Sequence, residues 1–206
     1  MLLFCEIICS MNKLTLIGGA PLSGKTTLSR KIASRDGAVE LSTDSIRSWM
    51  KSLVSPNGYP GLFYSDNMSA EDFYIKYDTP QSVVDGEIAE GRQVEKGVLA
   101  LLKTEVTWDH LVVEGIAITP ELMTKIRDEY RDREVECIIL VDEDRHRIHD
   151  RISGRGLWGP LDSYPNSLIP KEVEWVILYN KWFHEQAIEY GIKILTVEQI
   201  TLRPVS

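Results

Sequence analysis

Eight residues, Gly19-Ala20-Pro21-Leu22-Ser23-Gly24-Lys25-Thr26, constrain this chain more than any other stretch. They read G-x-x-x-x-G-K-T, the Walker A pattern. The alternating, β-prone run Leu14-Thr15-Leu16-Ile17 precedes them, and a helical pattern with Leu28 and Ile32 four apart follows. Strand, glycine turn and helix start, in that order, make a phosphate cradle: the glycines let the backbone curl so that successive N–H groups point inward, and the helix adds the positive end of its dipole. Gly19 through Thr27 are therefore expected to hold a nucleotide. Lys25 would bridge its β- and γ-phosphates, and the Thr26 hydroxyl would ligate magnesium. Asp36-Gly37 closes the helix, glycine supplying the left-handed position.

Around the cradle, apolar strand-like runs alternate with helical patterns, which predicts βα units and a mostly parallel sheet. Strands are expected near Ala38 to Leu41, His110 to Val113, Cys137 to Val141 and Ile192 to Thr196. Thr79-Pro80 opens a helix whose apolar positions Val84, Ile88, Val94, Val98 and Leu101 follow the helical period, weakened by Gly91 and Gly97. Thr119-Pro120-Glu121 repeats the start signal, and a last long helix runs from Lys171 to Tyr190 and stops at Gly191. A length of 206 residues suits one α/β domain, expected over 13–206 behind an N-terminal extension at 1–12.

The net charge of -8 argues against nucleic acid as the main partner, since such binding draws on clustered Lys and Arg. Cys5, Cys9 and Cys137 form no Cys-x-x-Cys motif or zinc spacing, which fits a reducing cytosol. The apolar opening MLLFCEIICS lacks a basic flank and a small-residue cleavage site, carries Glu6, and is too short to span a bilayer. It reads as an extension, with Met11 a plausible alternative start.

Chemistry beyond nucleotide binding has to come from other strand ends, because ligands of open α/β sheets bind at the carboxyl ends of the strands. After the second strand, Ser42-Thr43-Asp44-Ser45-Ile46-Arg47 puts a capping Thr43 before Asp44 and Arg47, three apart on one helix face. Asp44 could accept a proton from an attacking hydroxyl while Arg47 holds the acceptor or the moving phosphoryl group. Alternatively, Asp44 only complements the helix dipole and pairs with Arg47 at the surface. The third strand ends in Glu114-Gly115, where a carboxylate can hold magnesium through water and the glycine leaves room for substrate.

After the fourth strand, Arg147, Arg151 and Arg155 recur every four residues, a single basic stripe on a helix. That stripe would close over a γ-phosphate as a lid, roughly over 143–170, or else form a solvated face paired with Glu143 and Asp150. His146 and His149 read as phosphate donors or packed residues rather than metal ligands. An acceptor-binding insert is expected near 55–80, where Tyr59, Phe63, Tyr64, Phe73, Tyr74 and Tyr77 either line a Pro- and Gly-rich loop or pack as core, and a second such loop, open to the same two readings, follows from Trp158 to Pro170.

From about Lys13 to Arg155, the cradle, STDSIR, LVVEG and DEDRHRIH together resemble the 2-phosphoglycerate kinase family, within the nucleoside-monophosphate-kinase-like P-loop kinases. The resemblance implies a three-layer α/β P-loop NTPase fold with a five-stranded parallel sheet in 2-3-1-4-5 order and a helical arginine lid. It also implies ATP at Gly19 to Thr26 and an acceptor near Asp44 and Arg47. The expected activity is ATP- and magnesium-dependent phosphoryl transfer to a hydroxyl of a small, anionic metabolite, with Lys25, Asp44, Arg47, Arg151 and Arg155 in the reaction. Arg147 would contact the nucleotide. The D-x-x-R turn is shared with polynucleotide 5′-hydroxyl kinases, so a polynucleotide or nucleoside kinase is the alternative enzyme, and an ATP-sensing regulatory module the non-enzymatic one.

Overall fold

A computed structural model describes residues 12–104, 108–157 and 165–201. The expected N-terminal extension, apart from Asn12, and positions 158–164 of the second expected loop lie outside the described residues.

In chain order the elements are β1 (Lys13–Gly18), α1 (Lys25–Asp36), β2 (Val39–Ser42), α2 (Thr43–Leu53), α3 (Ala70–Lys76), α4 (Pro80–Leu102) and β3 (His110–Glu114). There follow α5 (Pro120–Glu129), β4 (Glu134–Val141), α6 (Arg145–Arg155), α7 (Ile169–Glu189), β5 (Lys193–Thr196) and α8 (Val197–Thr201). The strands form one parallel five-stranded sheet in the order β2-β3-β1-β4-β5, the order the resemblance implied.

Strand alternation explains why helices cover both faces. Leu14 and Leu16 of β1, Leu111 and Val113 of β3, and Ile139 and Val141 of β4 share one core with α2, α4, α5, α6 and α7. Ile17, Val112, Ile138, Leu140 and Leu195 face the other way, onto Ile32 of α1 and Ile200 of α8. Residues of opposite parity on each strand thus feed two separate apolar layers, the period of two expected of strands buried on both sides.

Helix starts follow local chemistry. Thr79 and Ser82 form a reciprocal capping box at α4, and Thr119 accepts the Leu122 N–H at α5. At α2 the cap is Ser42 rather than the expected Thr43: Ser42 Oγ accepts the Asp44 N–H at 3.2 Å, while Thr43 is buried. Gly97, expected to weaken α4, is where α2 crosses it. A Cβ there would lie 2.5 Å from Met50 Sδ and 2.6 Å from Ile46 Cγ2. The propensity cost of a glycine is traded for close helix–helix approach.

Of the two readings open for the aromatic segment at 55–80, packing as core describes most of it. A short 3-10 turn (Pro60–Phe63) and α3 bury Leu62, Phe73 and Tyr74, and Tyr64, Phe73 and Tyr77 pack ring against ring. Among the described residues, no helix is long and apolar enough to cross a membrane.

Candidate active site

The carboxyl ends of β1, β2 and β3 and the C-terminal half of α6 converge on one cleft of about 690 Å3. Pro21, Leu22, Gly24, Lys25, Thr26 and Thr27 line one end of it, Asp44, Arg47, Ser65 and Glu87 the other, with Glu114, Gly115, Arg151 and Arg155 also on its wall.

The cradle is shaped by what lies beneath it. Gly19 has φ 142°, and a Cβ there would stand 2.2 Å from the Leu140 carbonyl oxygen, so only glycine lets the loop leave β1 across the end of β4. Gly19, Ala20 and Ser23 therefore support the loop from below rather than line the cleft, and Ala20 and Ser23 are fully buried. Leu22 takes a left-handed φ of 67° without being glycine, a strained conformation of the kind found at binding loops.

Lys25 carries the clearest electrostatic signature. Its side chain is 8% exposed and donates from Nζ to the Ala20 carbonyl at 2.7 Å. Burial pulls its pKa from 10.5 to about 8, opposed by the nearby Glu114 carboxylate. A cation held this way is short of counter-charge. That fits an anionic group seated in the loop.

Thr26 and Glu114, expected to act together, do meet: Thr26 Oγ1 donates to Glu114 Oε1 at 3.1 Å. Burial raises the Glu114 pKa, while Lys25, Thr26 and Ser42 lower it. A hydroxyl and one carboxylate suit magnesium, which keeps most of its waters. Among the described residues, no group of three or more His, Cys, Asp or Glu is placed to hold a metal ion.

Gly115 does not leave space for substrate in the way its small size suggests. Thr43 occupies the volume a side chain would take: a Cβ would lie 1.7 Å from Thr43 Oγ1, at φ 150°. Gly115→Ala is therefore expected to destabilise the protein by roughly 3 kcal/mol, from steric overlap and backbone strain together. Urea denaturation measures this, and a loss below about 1 kcal/mol would mean that α2 moves freely to accommodate the methyl group.

At the acceptor end, Asp44 and Arg47 face each other as the spacing predicts, with Arg47 Nη2 3.4 Å from Asp44 Oδ1. Arg47 has a second, closer partner that sequence reasoning missed, Glu90 at 2.8 Å. Glu87, one turn earlier on α4, was also missed; it accepts a hydrogen bond from the Tyr64 hydroxyl and lines the cleft. Burial pushes the Glu87 pKa up to about 7, with Glu90 and Asp44 adding to the rise and Tyr64 and Arg47 opposing it. Their three-residue spacing puts Glu87 and Glu90 on one face of α4.

The arginine stripe divides. Arg151 and Arg155 line the cleft, and Arg151 donates to the Leu22 carbonyl of the loop. Arg147 does not line it: its guanidinium is held by Asp142, at 2.8 Å from Nε, and by Glu198 of α8. Asp142, the third missed residue, has no exposed side-chain surface and also accepts from Arg151 Nη1 at 2.9 Å. Its signal was the one that disclosed Glu114, a carboxylate directly after a run of apolar strand residues. His146 and His149, expected as phosphate donors or packed residues, are exposed and away from the cleft wall.

No family model matches the chain. A 2-phosphoglycerate kinase of Methanopyrus kandleri is 26% identical over 192 residues, covering 91% of this chain and 57% of that protein, so the chain spans little more than half the length of the curated relative it matches. Among solved structures, a shikimate kinase from Bacteroides thetaiotaomicron aligns with a TM-score of 0.49 at 12% identity, covering 94% of this chain and 90% of that one. A gluconokinase from Sinorhizobium meliloti aligns with a TM-score of 0.38 at 12% identity, over 85% of this chain and 98% of that one. The chain thus resembles 2-phosphoglycerate kinase in sequence, as its motifs implied.

Proposed function

We propose that this protein is a small-molecule kinase that transfers a phosphoryl group from ATP, with magnesium, to a hydroxyl group. The observation that carries the reading is the single cleft whose wall joins Lys25 and Thr26 at one end to Asp44 and Arg47 at the other. A nucleotide sensor needs only the first end. The likeness to a protein named as a 2-phosphoglycerate kinase supports the same class of reaction.

ATP supplies the phosphoryl group and magnesium spreads the charge that develops on it. The chain's own residues position and neutralise. Lys25 and the N-terminus of α1 bind the phosphates, and Thr26 and, through water, Glu114 would hold the metal. Arg151 and Arg155 stabilise charge on the moving group and help exclude water. Asp44 takes the acceptor hydroxyl's proton as the new O–P bond forms and the bond to the departing nucleotide breaks. Arg47, fixed by Glu90, orients Asp44 across their shared contact. In this reading Arg147 acts from behind, keeping Asp142 in place, rather than on the nucleotide.

The reaction itself is tested with Asp44→Ala. Nucleotide affinity is expected to change less than threefold, while transfer measured as ADP formed per acceptor falls by roughly a hundredfold or more. Undiminished transfer in that variant would remove Asp44 from the chemistry.

A further inference from the structure

The acceptor end of the cleft is poor in available positive charge. Among the described residues its wall carries one cation there, Arg47, and that guanidinium already lies 2.8 Å from Glu90 and 3.4 Å from Asp44. The next cation behind it, Lys51, is not on the wall and is held by Asp66 at 2.6 Å, with Glu90 at 3.7 Å. The Glu90 side chain is 1% exposed, so a substrate anion that drew Arg47 away would leave a buried carboxylate with only the more distant Lys51, itself shared with Asp66. Lys25, Arg151 and Arg155 line the loop end, where the donor's phosphates would engage them.

Glu87 sets the balance the other way. It lies on the wall, Tyr64 donates to its Oε1, and Oε2 has no partner among the described residues. We propose that this site takes a hydroxyl-bearing acceptor that is uncharged or carries an amine, such as a polyol or amino alcohol, and rejects carboxylate and phosphate groups, with Glu87 Oε2 accepting the hydrogen bond that distinguishes them. This rests on the kinase reading and replaces the anionic acceptor expected from the sequence.

A pH dependence follows from the same geometry. Glu87 is faced by Tyr64, by Arg47 and Asp44 of α2, by Glu90 on its own helix, by Tyr179 of α7 and by Lys25 of the loop. Since burial holds its pKa up to about 7, its charge is gained as pH rises from 6 to 8. An ammonium-bearing acceptor should bind more tightly across that interval, whereas the neutral acceptor should change little.

The test is the magnesium- and ATP-dependent phosphorylation of two matched sets: glycerol, serinol and glycerate, and glucitol, glucamine and gluconate. A metabolite extract, with product identified by mass, extends the range, and Lys25→Met serves as the blank. Neutral and amino members are expected to exceed the acid of the same skeleton at least tenfold in kcat/KM, and the phosphorylated extract component should carry neither carboxylate nor prior phosphate. Glu87→Gln should raise the KM for the amino member about tenfold with kcat and nucleotide KM little changed, and Tyr64→Phe should do so more weakly. Preferred turnover of an acid or a phosphate would overturn the proposal and leave the kinase reading standing. An unchanged amino preference in both variants would remove Glu87 from the role. No product above the blank from any set or extract would overturn the kinase reading and this inference with it.

Discussion

Lys25→Met is expected to abolish nucleotide binding and transfer while making the protein more stable, not less. The charged lysine is held where water cannot solvate it, which is why its pKa falls from 10.5 to about 8. At roughly 1.4 kcal/mol for each pKa unit, that shift disfavours the folded, charged state by about 3 kcal/mol. Methionine loses the bond to the Ala20 carbonyl, worth about 1 kcal/mol, so the expected net gain is about 2 kcal/mol at pH 7. The sign has a pH signature. A lysine whose folded pKa is depressed works against folding fully below the folded value, and this penalty fades as pH rises from about 8 toward the unfolded value of 10.5. Denaturation without nucleotide should thus find the variant more stable at pH 7 and the two proteins converging near pH 10. A variant less stable than the parent at pH 7 would contradict the desolvated lysine, and with it the account of the loop as a cation awaiting an anion.

That penalty also explains why the loop was the most legible part of the sequence. A backbone that must curl at Gly19 and a lysine kept at an energetic cost leave few substitutions open, so the residues print the function directly. The sheet was nearly as clear, because strands buried on both faces need continuous apolar runs, and the predicted strands fall on the observed ones to within a few residues. Misread features were those whose meaning lies in a partner distant in sequence. Arg47 looks like a free cation until Glu90, 43 positions away, closes on it. Gly115 looks like open space until Thr43 fills it. Arg147 shares a helix stripe with Arg151 and Arg155, yet Asp142 and Glu198 turn it aside, and helical periodicity carries no information about which member of a stripe has a competing carboxylate. Glu87 and Glu90 went unnoticed because a buried carboxylate is readable only once its cleft or its cation is in view.

Asp142 gathers two of the stripe's arginines on one buried carboxylate, and its replacement carries the second large effect. Asp142→Ala is expected to destabilise the protein by about 3 kcal/mol and to lower kcat by about a hundredfold. The carboxylate accepts from Arg147 Nε at 2.8 Å, from Arg151 Nη1 at 2.9 Å and from the Asp144 N–H at 3.2 Å, while its own N–H donates to Asn180 Oδ1 at 2.9 Å. It therefore joins the end of β4 to both α6 and α7. Both arginines keep about a third of their side-chain surface in solvent, which places the stability loss at the lower end of the 3–5 kcal/mol typical of breaking a buried pair. The rate loss has a different origin: without Asp142, Arg151 is no longer aimed from α6 toward the Leu22 carbonyl and the phosphate loop. Asp142→Asn separates the two, because it retains the side chain's size and one accepting oxygen while removing the charge. It should recover part of the stability but little of the rate, with nucleotide affinity reduced far less than kcat. Assays well below the melting temperature of each variant keep unfolding out of the rates. If Asp142→Asn transfers phosphate at the parental rate, Arg151 does not need its carboxylate anchor, and α6 contributes to the cleft as a wall alone.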